Sequence, residues 1–283
     1  MSTLLDPFGY DFFVNALLVA TLAGALCGLI GVYVVLRGMS YIGHGLSHAI
    51  FGGAVAAYAL DVSYYLGAGV WGLVSALLVQ QVARRRTIGA DAAIGVVTSS
   101  SFAVGIVIIS VIGTFTQNLE AALFGDVLGV TVPDVVAVGA VTLFAAGVVF
   151  FRYRELLFAT FDPEVAEVSG VNLAATDTLL ALTLSALITV SMNVLGVTLI
   201  AAMLVIPAVI GRLLTDSFSR MLAISVGVGT VSGATGVYLS YHLDWPSGPS
   251  VVLTAALIFA VAYVFSAARR RAIPEAALDA HAG

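Results

Sequence analysis

The sequence contains no lysine, since all 11 of its basic residues are arginines. A phosphate-binding loop of the Gly-x-x-x-x-Gly-Lys-Ser/Thr kind needs a lysine to reach the β/γ-phosphates, so ATP hydrolysis by that route is excluded. Cysteine is nearly absent. Cys27 stands alone in an apolar run, which rules out both a disulfide framework and a Cys-based metal cage. Charged residues make up 10% of the 283, against roughly 25% in a soluble domain. With 60% hydrophobic residues and a mean hydropathy of +1.09, the chain reads as an all-α polytopic membrane protein. The net charge of -5 is spread over loops and offers no basic face for nucleic acid. The first residues, MSTLLDPFGYDFF, lack the positive n-region of a signal peptide, so the first apolar segment is expected to be an uncleaved span.

A span needs about 20 apolar residues, and arginines collect on the cytoplasmic side. This predicts crossings over 12–36, 43–60, 64–82, 92–112, 135–151, 221–239 and 251–267. The stretch 177–212 is apolar apart from Asn193 and is predicted to be a hairpin of two crossings turning near Met192 and Asn193. Nine crossings place Arg84, Arg85 and Arg86, then Arg152 and Arg154, then Arg269, Arg270 and Arg271 on one face. The N-terminus is then outside and the C-terminus cytoplasmic. No repeat or second domain is evident, so residues 1–283 read as one transmembrane domain.

Two stretches are expected not to cross. Residues 119–130, LEAALFGDVLGV, are too short and read as an outer interfacial helix or a lip of an entry pathway. The cytoplasmic connection 152–171, RYRELLFATFDPEVAEVSGV, mixes charge with Phe158, Phe161, Val165 and Val168. Asp162 is an N-cap, Pro163 suits the first helical position, Glu164 suits the positive helix end and Gly170 suits a stop. A short helix over 163–169 follows, either a plain amphipathic connector or a docking element.

Within 37–53, RGMSYIGHGLSHAIFGG, His44 and His48 stand four residues apart, about 40° apart on a helix face. Ser40 and Ser47 add hydroxyls nearby, and Gly45, Ala49 and Gly52 or Gly53 offer a small-residue stripe for a neighbouring helix. Two readings are open. The histidines are polar residues near a helix end, or they are ligands for a transition metal, since His-x-x-x-His is a workable bidentate spacing. A metalloprotease would need His-Glu-x-x-His, and Gly45 fills the glutamate position.

These stretches together resemble the permease subunits of the manganese and zinc ABC importers. LRGMSYIGHGLSHAIFGG is similar to that family's LRGMSLLGDALSHAVLPG, and ADAAIGVVTSSSFAVGIVIIS to its EDTAIGILFSALFALGVVLIS. LFGDVLGVT, FDPEVAEVSGV, VLGVTLIAAMLVIPA and PSGPSVVL follow in the family's order. The resemblance implies a type II ABC importer-like permease in the plasma membrane, surrounded by lipid and acting as a homodimer. It also implies a cytoplasmic ATPase dimer on which ATP acts, an extracytoplasmic metal-binding protein, and a zinc or manganese ion as cargo with no permanently bound cofactor. His48 takes the place of a family ligand, and His44 stands where the family usually has Asp. Phe161, Asp162, Pro163, Glu164 and Gly170 inherit the segment that couples to the ATPase. Pro207 is expected to kink its helix, with gating or simple tolerance both open, and Met203 reads as packing. A secondary transporter would want carboxylates at mid-membrane, and the spans carry almost none. A siderophore or cobalamin permease would have no need of paired histidines.

Overall fold

The computed structural model describes residues 6–83, 89–112, 125, 129–196 and 199–271. After a 3₁₀ turn at Asp6–Gly9, the described residues form eleven α-helices: α1 (Asp11–Leu36), α2 (Ile42–Ala59), α3 (Tyr64–Ala83), α4 (Ala90–Ile112), α5 (Val132–Phe151), α6 (Tyr153–Phe161), α7 (Pro163–Val168), α8 (Leu173–Leu195), α9 (Ile200–Leu214), α10 (Phe218–Leu243) and α11 (Ser247–Arg271). Six of them, α1, α4, α5, α8, α10 and α11, are long and apolar enough to cross a membrane. α3 and α9 carry shorter apolar stretches, Leu66–Val82 and Ile200–Leu214. The expected nine thus meet six that qualify on length and composition. The remaining three are α3 and α9, which are short, and α2, whose apolar run is diluted by two imidazoles.

The ends of these helices follow from local chemistry. At the end of α1, Gly38 takes φ 68°, its N–H bonds the Val35 carbonyl, and the Met39 N–H bonds the Val34 carbonyl. This double closure needs a left-handed residue, which glycine supplies without steric cost. The same closure ends α7 at Gly170, φ 82°, as expected, with Val171 N–H on the Ala166 carbonyl. α8 runs past the expected turn at Met192 and Asn193 and stops at Gly196, φ 76°, whose N–H caps the Met192 carbonyl. A lone asparagine does not stop a helix that a glycine three residues later closes more easily. The side chain of Asn193 lies outside the described residues, as do Arg84, Arg85, Arg86, the side chains of Arg269, Arg270 and Arg271, and the 119–130 stretch apart from Gly125, Gly129 and Val130. PSGP leads into α11, which starts at Ser247, and the Ser250 hydroxyl donates to the Pro246 carbonyl at 2.8 Å.

α1 is the centre of the bundle, with both faces buried along most of its length. It meets α10 with almost no side chain between the two. A Cβ on Gly24 would lie 2.1 Å from the Gly229 carbonyl oxygen, and one on Gly229 would lie 2.0 Å from that of Gly24. The Ser225 hydroxyl, fully buried, donates across this seam to the Gly28 carbonyl at 2.7 Å. Lipid chains are as apolar as leucine, so helices in a bilayer associate through such close backbone packing rather than by escaping water. The outward faces of α4, α5 and α11 instead present large apolar side chains such as Val111, Leu143, Phe151 and Val261.

Candidate metal-binding site

α2 lies against both α3 and α4, and small residues bring it close to each. Gly52 and Gly105 of α4 touch, since a Cβ on Gly105 would lie 2.7 Å from the Gly52 Cα. A Cβ on Gly45 would meet Ile94 and Thr98 of α4, and one on Gly53 would meet Trp71 of α3. The glycine stripe expected from the sequence is therefore a pair of interfaces. Substitution at Gly45, Gly52 or Gly53 would push α2 off one of its neighbours.

His44 and His48 sit one turn apart on this wedged helix, with ring centroids 4.6 Å apart and planes at 85°. Both are half-buried. Tyr41 covers one end of the pair, 5.5 Å from the His44 ring, and Phe102 of α4 covers the other, 4.8 Å from the His48 ring. His48 Nδ1 is buried and has no hydrogen-bond partner among the described residues. A buried ring nitrogen left in that state costs about 1–3 kcal/mol, which makes it available to any ligand that reaches it. The two expected hydroxyls are turned elsewhere: Ser47 donates to the His44 carbonyl at 2.8 Å, and Ser40 is exposed in the turn before α2. Among the described residues no group of three or more His, Cys, Asp and Glu side chains converges. One chain thus offers two imidazole ligands and leaves the rest of a coordination shell to other donors.

The second expected site lies in the 152–171 connection. α7 is capped as the sequence indicated, with the Asp162 carboxylate accepting from the Val165 N–H at 3.0 Å and Pro163 opening the helix. Its apolar residues are mostly uncovered: Ala166 is fully buried, whereas Val165 is exposed and Val168 is 92% exposed. Phe161 is exposed while its ring edge contacts Phe218 at 5.9 Å. Glu164 is exposed as well. The preceding helix α6 is not announced by the sequence, where RYRELLFATF lacks a capping residue and looks like a charged linker.

Sequence reasoning also missed a polar junction behind this segment. Arg37, the residue that caps the end of α1, pairs through Nη1 with Asp177 Oδ1 of α8 at 2.6 Å. Its Nε–H donates to Thr160 Oγ1 of α6 at 3.1 Å. The partners are 140 and 123 positions away, so no local pattern announces them. Pro207 is buried inside α9 and does not interrupt it. Its missing N–H leaves the Met203 carbonyl without the usual helical donor. The Met203 side chain is fully buried packing, as expected. α9 reaches both neighbours here: a Cβ on Gly31 would strike the Leu204 carbonyl, and one on Gly43, beside His44, would strike the Leu204 side chain.

Comparison with known proteins identifies the family. The ABC 3 transport family matches residues 9–266. The manganese transport system membrane protein MntC of Halalkalibacterium halodurans is 36% identical over 257 residues, covering 91% of this chain and 88% of that protein. The chelated iron transport system membrane protein YfeC of Yersinia pestis is 34% identical and covers 94% of this chain and 90% of its own length. The solved structure of PsaBC from Streptococcus pneumoniae in complex with Fab superposes with a TM-score of 0.83 at 30% identity, covering 93% of this chain and 95% of that one. The chain belongs to the ABC 3 transport family, and it is a multi-pass permease subunit of a metal ABC importer, a transport component rather than an enzyme.

Proposed function

We propose that the chain forms the membrane pathway for a divalent transition-metal ion, zinc or manganese, with His44 and His48 as its ligands. The observation that carries this reading is the pair itself: two imidazoles 4.6 Å apart on a glycine-wedged helix, one with a buried, unpartnered nitrogen. Relatives are named for manganese and for chelated iron. The family's usual Asp would supply a hard oxygen anion, whereas His44 supplies a second neutral nitrogen, and imidazole suits zinc, iron and nickel better than manganese. The pathway therefore takes zinc at least as readily as manganese. A second copy of the chain, related by a two-fold axis, doubles the set to four histidines, enough for a tetrahedral shell that forms in one conformational state and opens in another.

The rest of the assembly follows from the same reading. α1, α2, α3, α4, α5, α8, α9, α10 and α11 make nine crossings of the plasma membrane, with the N-terminus outside and the C-terminus in the cytoplasm, in a single permease domain. An extracytoplasmic metal-binding protein delivers the ion. A cytoplasmic ATPase dimer receives the segment from Phe161 through Asp162, Pro163 and Glu164 to Gly170, where the exposed Val165 and Val168 give α7 an apolar face to dock. Pro207 sits where a bend of α9 would move both α1 and α2. The test of coupling is Phe161→Ala with Glu164→Ala in the reconstituted complex. Uptake per ATP hydrolysed should fall about tenfold, within the range of ordinary coupling energies, while the permease still inserts and dimerises. Normal metal-stimulated hydrolysis and uptake would remove the assignment.

A further inference from the structure

Three features of the Arg37 junction single it out. Arg37 caps the end of α1, ahead of the left-handed Gly38, and His44 stands seven positions on. Its guanidinium holds two other helices at once, Asp177 of α8 at 2.6 Å and Thr160 of α6 at 3.1 Å. Its side chain is only 11% exposed and Nη2 is buried without a partner. Thr160 is the residue before Phe161, at the mouth of the exposed α7 segment. Its own proton goes to the Leu156 carbonyl at 2.6 Å, which leaves its oxygen free to accept from Arg37.

The junction also has room for a second arrangement. Arg37, Asp177 and Gln80 of α3 line a cavity of about 240 Å³ between α1, α3 and α8. Gln80 Nε2 is buried and unpartnered, while Gln80 Oε1 sits 3.3 Å from Thr178 Oγ1, whose proton is within reach of the Ala174 carbonyl at 2.7 Å. Turning the Gln80 amide over lets Nε2 donate to Thr178 and presents an oxygen to the cavity that Arg37 also lines.

We infer that Arg37 is a positioning residue for transport: it ties the end of α6 to the turn before the histidine helix, so that displacement of the 161–170 segment is passed to His44 and His48. α1 and α10 are joined backbone to backbone, and so are α2 and α4. The connection from α1 to α2 is the short turn at Gly38, and Arg37 is the side chain at that turn that donates to Thr160 of α6. The inference rests on the coupling role proposed for that segment.

The test uses the full complex, permease with its ATPase, reconstituted in vesicles, with zinc uptake and ATP hydrolysis measured together. Thr160→Val removes the α6 link and leaves the Arg37–Asp177 pair. It should lower uptake per ATP about tenfold with no change in zinc binding to the detergent-purified protein. Arg37→Lys keeps a charge for Asp177 but has no Nε–H fork for Thr160. It should keep thermal stability near wild type and still show the low ratio, whereas a purely structural role would be rescued by lysine. An unchanged uptake-to-hydrolysis ratio in both variants overturns the inference. If the Phe161/Glu164 double variant remains uncoupled in the same assay, the coupling segment stands and only the Arg37 route falls. If that variant is also normal, both fall together.

Discussion

Two of the glycine seams among the described residues differ in what they do with the space they save. Between α1 and α10, Gly24 and Gly229 bring backbone against backbone, and the buried Ser225 hydroxyl is partnered across the gap. Between α2 and α4, Gly52 and Gly105 touch in the same way, yet α2 also carries two half-buried imidazoles, one with an orphaned nitrogen. Small residues alone therefore mark packing. An orphaned polar atom is not the distinction, since Ser232 of α10 is also buried with no partner among the described residues; what sets the second seam apart is a pair of metal-ligating imidazoles one turn apart. In the function proposed above, the first seam is packing and the second carries the side chains that meet the cargo.

Substitutions can break that contrast. The largest effect belongs to the first seam: Gly229→Leu drives a side chain into the Gly24 carbonyl, and overpacking where neither backbone can move is expected to cost about 3 kcal/mol or more. Folded, dimeric protein should be lost on size-exclusion chromatography. His48→Ala sits at the other seam and should leave the folded yield intact while zinc uptake falls about 100-fold, the scale of losing a metal's direct ligand or more. Folded Gly229→Leu protein with normal uptake would dissolve the distinction between the seams. Unchanged uptake by His48→Ala would remove the site.

A finer prediction concerns His44. His44→Asp restores the oxygen–nitrogen pair usual in the family, and the uptake ratio of manganese to zinc should rise by about tenfold on the hard–soft preferences of the ligands. Equal ratios in wild type and variant would show that His44 does not set selectivity. The smallest effect is on the first seam's hydroxyl. Ser225→Ala removes one buried hydrogen bond and should lower stability by about 1 kcal/mol, read as a fall of a few degrees in melting temperature, with transport unaltered.

Much of this layout was legible in the sequence. The apolar runs delimit α1, α2, α4 and α5 to within a few residues, and Asp162, Pro163 and Gly170 mark the ends of α7 through capping chemistry that acts within four residues. Position and spacing put His44 and His48 on one helical face, and the ring contact bears that geometry out. What escaped was either ambiguous locally or not local at all. α6 has no cap to announce it, and at the α8–α9 turn the polarity of Asn193 stands out in the sequence while the left-handed freedom of Gly196 does not. The Arg37–Asp177 and Arg37–Thr160 contacts join positions more than a hundred residues apart, and only the packing of α1 against α6 and α8 brings them together.

The central claim is that two imidazoles on α2 bind the cargo directly, and zinc binding to the purified permease tests it most simply. Coordination needs neutral imidazole, so protons compete with zinc for the ring nitrogens and affinity falls as the pH is lowered. Titrating zinc into wild type and into His44→Ala/His48→Ala at about pH 7.5 and about pH 5.5 separates the outcomes. The account predicts zinc binding by wild type that weakens at least tenfold at the lower pH and is missing from the double variant at both. Zinc binding of equal strength in the double variant, with the same pH response, would contradict it.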